Sequence, residues 1–68
     1  MTEKQLTDLL QELEERTALR SAISERISHA REAGDLATNA EYKAAKEEQE
    51  TNEARMSEIR KLIRDAVT

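Results

Sequence analysis

The carboxylates are the chemistry-bearing side chains of this chain, so the first question is whether any of them has a partner. Glu47, Glu48, Glu50 and Glu53 cluster closely but have no metal-ligand partners beside them, and they read as one solvated helix face. The only histidine, His29, makes no metal site alone and is expected to be exposed or at the edge of a seam. With no cysteine, the chain has no thiolate nucleophile, thiolate metal site or disulfide frame. No nucleophile–base pair and no complete metal-ligand set can be assembled, which argues against an independent enzyme. One carboxylate stands apart. Asp35 lies in AREAGDLATNAEYKAAKEEQ, residues 30–49, which also holds the only glycine, Gly34, and the only tyrosine, Tyr42.

The elements around that stretch are plain. Leu6, Leu9, Leu10, Leu13, Leu19, Ile23, Ile27 and Ala30 recur at spacings of three and four, the stripe of an amphipathic helix, with Arg16, Thr17 and Arg20 interrupting its middle. Tyr42, Ala45, Gln49, Asn52, Met56, Ile59, Ile63 and Ala66 follow a heptad-like rhythm with Gln49 and Asn52 as its polar centre. If the chain folds back about 34–38, Ile27 meets Ala45, Ile23 meets Gln49, Arg20 meets Asn52, Leu13 meets Ile59 and Leu9 meets Ile63. Apolar ends then face apolar ends and the two polar middles coincide, a match that one continuous helix in a parallel dimer would not require. The fold class is therefore all-α: two long helices, about 4–33 and about 39–66, forming an antiparallel coiled-coil hairpin, each roughly 40–45 Å long.

The turn has its own punctuation. Gly34 stands where a helix C-terminus favours a left-handed residue, and Asp35 is turn-tolerant. Thr38-Asn39-Ala40-Glu41 reads as a capping box in which Thr38 caps the second helix and Glu41 reaches back, with Asn39 as the alternative N-cap. Gln49 and Asn52 are expected to form polar layers that fix register.

Composition narrows the function classes. The chain has 68 residues, enough for one small domain, 38% of them charged, with no proline, phenylalanine or tryptophan. High charge with low hydrophobicity is also compatible with disorder, but the apolar periodicity favours an ordered coiled coil. Fifteen acidic and eleven basic residues give a net charge of −4. They are spread evenly: seven acids and five bases in 1–33, eight and six in 34–68. With no basic block and no aromatic surface for stacking, direct nucleic-acid binding is not expected. The N-terminus MTEKQLTDLL has no signal-peptide pattern and no run is long enough to span a bilayer, so a cytoplasmic location and no membrane partner follow by default.

AREAGDLATNAEYKAAKEEQ closely resembles the tip of the N-terminal coiled-coil domain of Gre transcript-cleavage factors, A-R-E-x-G-D-L-x-E-N-A-E-Y-x-A-A-[KR]-E-x-Q. Ala30, Arg31, Glu32, Gly34, Asp35 and Leu36 match its first part. Asn39, Ala40, Glu41, Tyr42, Ala44, Ala45, Lys46, Glu47 and Gln49 match its second. LLQELEE at 9–15 and EARMSEIRKLI at 53–63 resemble the family's two helices more loosely. The resemblance implies a single domain over 1–68 that binds RNA polymerase, enters its secondary channel and brings Gly34, Asp35, Leu36 and Thr38 near the active site. In that family two acidic tip residues help hold a catalytic Mg²⁺ and its attacking water, and the polymerase itself cleaves backtracked RNA.

Two departures qualify this. Asp35 matches the first acid, a shared Mg²⁺ ligand by resemblance, but Thr38 stands at the second, where a neutral hydroxyl is a poor ligand. The family's C-terminal domain also has no counterpart before the chain ends at Thr68. The expectation is a polymerase-binding modulator of transcription elongation, not an enzyme and with no cofactor of its own, that gives little or no stimulation of cleavage. Arg31, Lys43 and Lys46 are candidate contacts to an acidic channel wall, with solvated helix charge as the plainer reading. Asn39 and Glu41 complete the candidate partner-binding set, and Tyr42 is either seam packing or a hot spot. The rival reading is a self-associating hairpin, a homodimer forming a four-helix bundle with no polymerase role.

Overall fold

The computed structural model describes residues 1–34 and 38–67. Among these the chain forms two helices, α1 (Glu3–Glu32) and α2 (Ala40–Val67), and no strand. They lie side by side and antiparallel in a rod of 48 × 16 × 14 Å. The register is written in its cross-helix pairs: Glu12 with Arg55, Arg16 with Asn52, Arg26 with Glu48, and Ala30 with Asn39. The helix boundaries fall within one residue of the expected ones.

α1 starts at a capping box that the T-x-x-Q spacing of Thr2 and Gln5 could have disclosed. The Thr2 hydroxyl accepts from the Gln5 N–H at 3.1 Å, and the Gln5 side-chain oxygen accepts from the Thr2 N–H at 2.8 Å. Its other end closes at Ala33, followed by Gly34 at φ +119°, backbone space that an L side chain rarely takes. A β-carbon built on Gly34 would meet nothing within 4 Å, so the requirement for glycine is one of conformation and not of room.

The core is a single seam. Ile23, Ile27, Ala30, Ala45, Met56 and Ile59 are buried, and half-buried Tyr42 packs on the cluster of Ile23, Ile27 and Ala45. The leucine stripe of α1 is narrower than its spacing suggests. Leu6, Leu9 and Leu13 are half-buried, whereas Leu10 and Leu19 stay 49% and 40% exposed. One facing helix covers only part of a helix's circumference, and among the described residues there is no third element to take the rest.

The polar centre also differs in detail. Asn52, 3% exposed, pairs with Arg16 and not with Arg20. Its amide donates to the Arg16 carbonyl at 3.0 Å, and its side-chain oxygen accepts from Arg16 Nη1 at 3.2 Å. Arg20 instead makes two bonds to Glu53, at 2.6 and 2.7 Å. Among the described residues Gln49 forms no cross-helix layer bond; half-buried, it accepts from Lys46 Nζ of its own helix at 3.1 Å. Glu12 gathers the arginines from both helices. It accepts from Arg16 Nε at 2.7 Å and from Arg55 Nε and Nη2 at 2.9 and 3.0 Å. The hydrogen bonds from Arg55 and then Arg16 pull its carboxyl down to about 2, and Arg55 is raised in turn.

Candidate functional site

The tip is built by ending one helix and starting another within seven residues. The last turn of α1 tightens to i,i+3 bonds: the Ala33 N–H donates to the Ala30 carbonyl at 3.2 Å and the Gly34 N–H to the Arg31 carbonyl at 3.4 Å. Across the turn the N-cap of α2 is Asn39, whose side-chain oxygen accepts from the Tyr42 N–H at 3.0 Å. Thr38, the first choice from the capping-box pattern, is not that cap. A three-residue offset from Asn39 lands on the Tyr42 amide, so the alternative reading is the one realised. The same side chain also reaches back, its Nδ2 donating to the Ala30 carbonyl at 2.9 Å. One carboxamide therefore serves a free amide of one helix and a terminal carbonyl of the other.

Charges at the tip follow the helix dipoles. Arg31 and His29 lie in the last turn of α1, where cations are favoured, and Glu41 lies in the first turn of α2, where an anion is. Arg31, Gly34, Thr38, Glu41 and Lys43 are exposed; Asn39, Tyr42 and Lys46 are half-buried. The sequence candidates thus separate into two groups. Asn39 and Tyr42 are turned to the seam and engaged within the hairpin, and Lys46 bonds Gln49. Arg31, Glu41 and Lys43 share the outer surface with Thr38. Asp35 and Leu36 lie outside the described residues. The double bonding of Asn39 escaped sequence reasoning, because its second half depends on where the end of α1 comes to rest.

Among the described residues no group of three or more His, Cys, Asp or Glu side chains could hold a metal ion. No helix among the described residues is long and apolar enough to cross a membrane.

Fold and tip together define a coiled-coil hairpin domain whose two helix ends are tied to each other through Asn39. The family described as transcription elongation factor, N-terminal (GreA and GreB) matches residues 1–67. The chain belongs to that family. It is 51% identical over 63 residues to the transcription elongation factor GreA of Lachnoclostridium phytofermentans, covering 93% of this chain and 38% of that protein. It is 44% identical over 68 residues to the GreA proteins of Bacillus cytotoxicus and Bacillus anthracis, covering 98% of this chain and 43% of each. The chain thus spans about two fifths of the length of the curated relatives it matches. No solved structure matches it.

Proposed function

We propose that this hairpin binds RNA polymerase, enters the secondary channel tip-first and modulates transcription elongation without completing the metal-holding pair of carboxylates. The observation that carries this reading is the coincidence of a family-type tip with a slender rod. The motif from Ala30 to Gln49 lies at the closed end of a hairpin only 16 × 14 Å across, which suits a narrow passage. The factor's part is mechanical and electrostatic. The rod carries the tip, Arg31 and Lys43 offer outward cations to an acidic wall, and Asp35 is the one carboxylate the chain can lend to a Mg²⁺ held by the polymerase.

Thr38 decides the chemical output. A neutral hydroxyl in place of a second carboxylate contributes little to recruiting the ion, so occupancy of the channel, with inhibition or competition against other channel-entering factors, is the expected effect. Core RNA polymerase should be retained on immobilised hairpin at micromolar concentration, and Asp35→Ala should still retain it. Absence of retention for the unmodified chain would sink this reading.

The exposure of Leu10, Leu19 and Leu62 favours a second reading, in which two hairpins pair into a four-helix bundle. Sedimentation at several concentrations separates the two: a dimer that never contacts polymerase supports the bundle alone.

A further inference from the structure

The tip contains one side chain whose two halves do different jobs. In Asn39 the oxygen accepts from the Tyr42 N–H at 3.0 Å and the nitrogen donates to the Ala30 carbonyl at 2.9 Å. The partners fix the orientation of the amide, since an N–H must face oxygen and a carbonyl must face a donor. Capping alone needs only the oxygen, and serine, threonine or aspartate would supply it equally well. The nitrogen is the informative half. It ties the first residue position outside α2 to a carbonyl of α1 nine residues earlier.

We propose that Asn39 is a positioning residue for the tip: its carboxamide is a tether that sets how the start of α2 is held against the end of α1. The tether acts at a well-anchored point. Ala30 is 1% exposed, and its carbonyl is already taken by the Ala33 N–H at 3.2 Å, so the bond from Asn39 uses the second lone pair of a group fixed in the seam. Tyr42, whose N–H donates to the Asn39 oxygen, is itself packed on Ile23, Ile27 and Ala45. Both ends of the tether are thus held by core packing, while Gly34 supplies the positive φ that lets the chain leave α1. Helix ends fixed against each other in this way hold the exposed groups beside them, Arg31, Thr38 and Glu41, in one relation to the rod, which any use of the tip inside a narrow partner requires. In that respect the inference rests on the proposed entry into the polymerase channel; the tether itself is a property of the free hairpin.

Asn39→Asp separates the two halves. The carboxylate keeps the cap, which the helix dipole favours, but has no hydrogen to give the Ala30 carbonyl and sets like partial charges against each other. Asn39→Ser keeps a capping hydroxyl without that repulsion and is too short for the tether. Amide hydrogen exchange followed by NMR should show Tyr42 protected as in the unmodified chain in both variants. Ala33 and Gly34 should exchange about three- to tenfold faster, with helix content by circular dichroism unchanged. Unchanged protection at Ala33 and Gly34 in both variants would overturn the tether.

A polymerase arm tests the positioning role. With the variants at saturation, the maximal effect on transcription should fall severalfold, while the concentration giving half the effect moves by less than about twofold. A merely structural role would move the concentration and leave the plateau, and that result would overturn the positioning claim. If the unmodified chain leaves polymerase untouched, the channel reading fails; exchange at Ala33 and Gly34 still decides the tether, and the positioning role falls with the channel.

Discussion

The two ends of this hairpin are made differently. At the closed end, small and branched residues fill the seam, Ala30 and Ala45 allow the helices to approach, and Asn39 joins them with a bond of its own. Toward the open end, Ile59 is the last fully buried side chain of α2; beyond it Ile63 is half-buried, as are Leu6 and Leu9 opposite, and Leu10 and Leu62 are 49% and 40% exposed. Charge takes over from burial there. Glu12 collects Arg16 and Arg55, and Arg55 also reaches Glu58. Such half-exposed pairs contribute modestly, so the closed end is the better determined half. The lesson is one of division of labour: the end that carries the family motif is fixed by packing and specific hydrogen bonds, and the other is held by a thinner seam.

The largest effects are expected in the core. Ile59→Ala removes the last buried anchor and should cost about 2–4 kcal/mol, enough to melt a two-helix domain at room temperature, whereas Leu10→Ala on the same half should stay within about 0.5 kcal/mol. Urea unfolding followed by circular dichroism reads both. Asn52→Ala at the boundary between the halves should cost about 1–3 kcal/mol, because it strips a buried partner from the Arg16 side chain and carbonyl. Gly34→Ala should cost about 1 kcal/mol, from its backbone conformation alone, since the added methyl group has space.

A smaller effect should appear with acid. Glu12 has a carboxyl held at about 2 in the folded chain against 4.5 in the unfolded one, and the bonds from Arg20 likewise lower Glu53. A carboxyl bound more weakly by protons in the folded state stabilises above its unfolded value. That contribution is lost as pH falls from about 4.5 toward 2, so the melting temperature should drop over that window. In Glu12→Gln the drop should be shallower; an unchanged slope would show that the Glu12 pairs do not matter to folding.

Much of this architecture could be read before any coordinates. Two helices, the reversal at Gly34 and a cap among Thr38 and Asn39 follow from local rules, because helix stripes and turn residues act within a few positions. What could not be read depends on how far the two helices slide past one another. A shift of one turn puts Asn52 on Arg16 instead of Arg20 and sends Arg20 to Glu53, and sequence spacing favours neither strongly. Leu10 and Leu19 looked like core because a stripe states which face is apolar and not how much of it a single partner can cover. Asn39 was legible as a cap and illegible as a tether, since the second bond joins residues nine apart across a turn. The candidate site was legible mainly through resemblance, and Thr38 stood out only by departing from it.

The most direct test of the central claim, a tip that keeps its address without its full chemistry, is transcript cleavage in backtracked elongation complexes. The unmodified hairpin and Thr38→Glu are compared at concentrations that saturate the polymerase. The unmodified chain should leave the cleavage rate near that of polymerase alone, while Thr38→Glu should raise it. Strong stimulation by the unmodified chain, equal to that of Thr38→Glu, would contradict it.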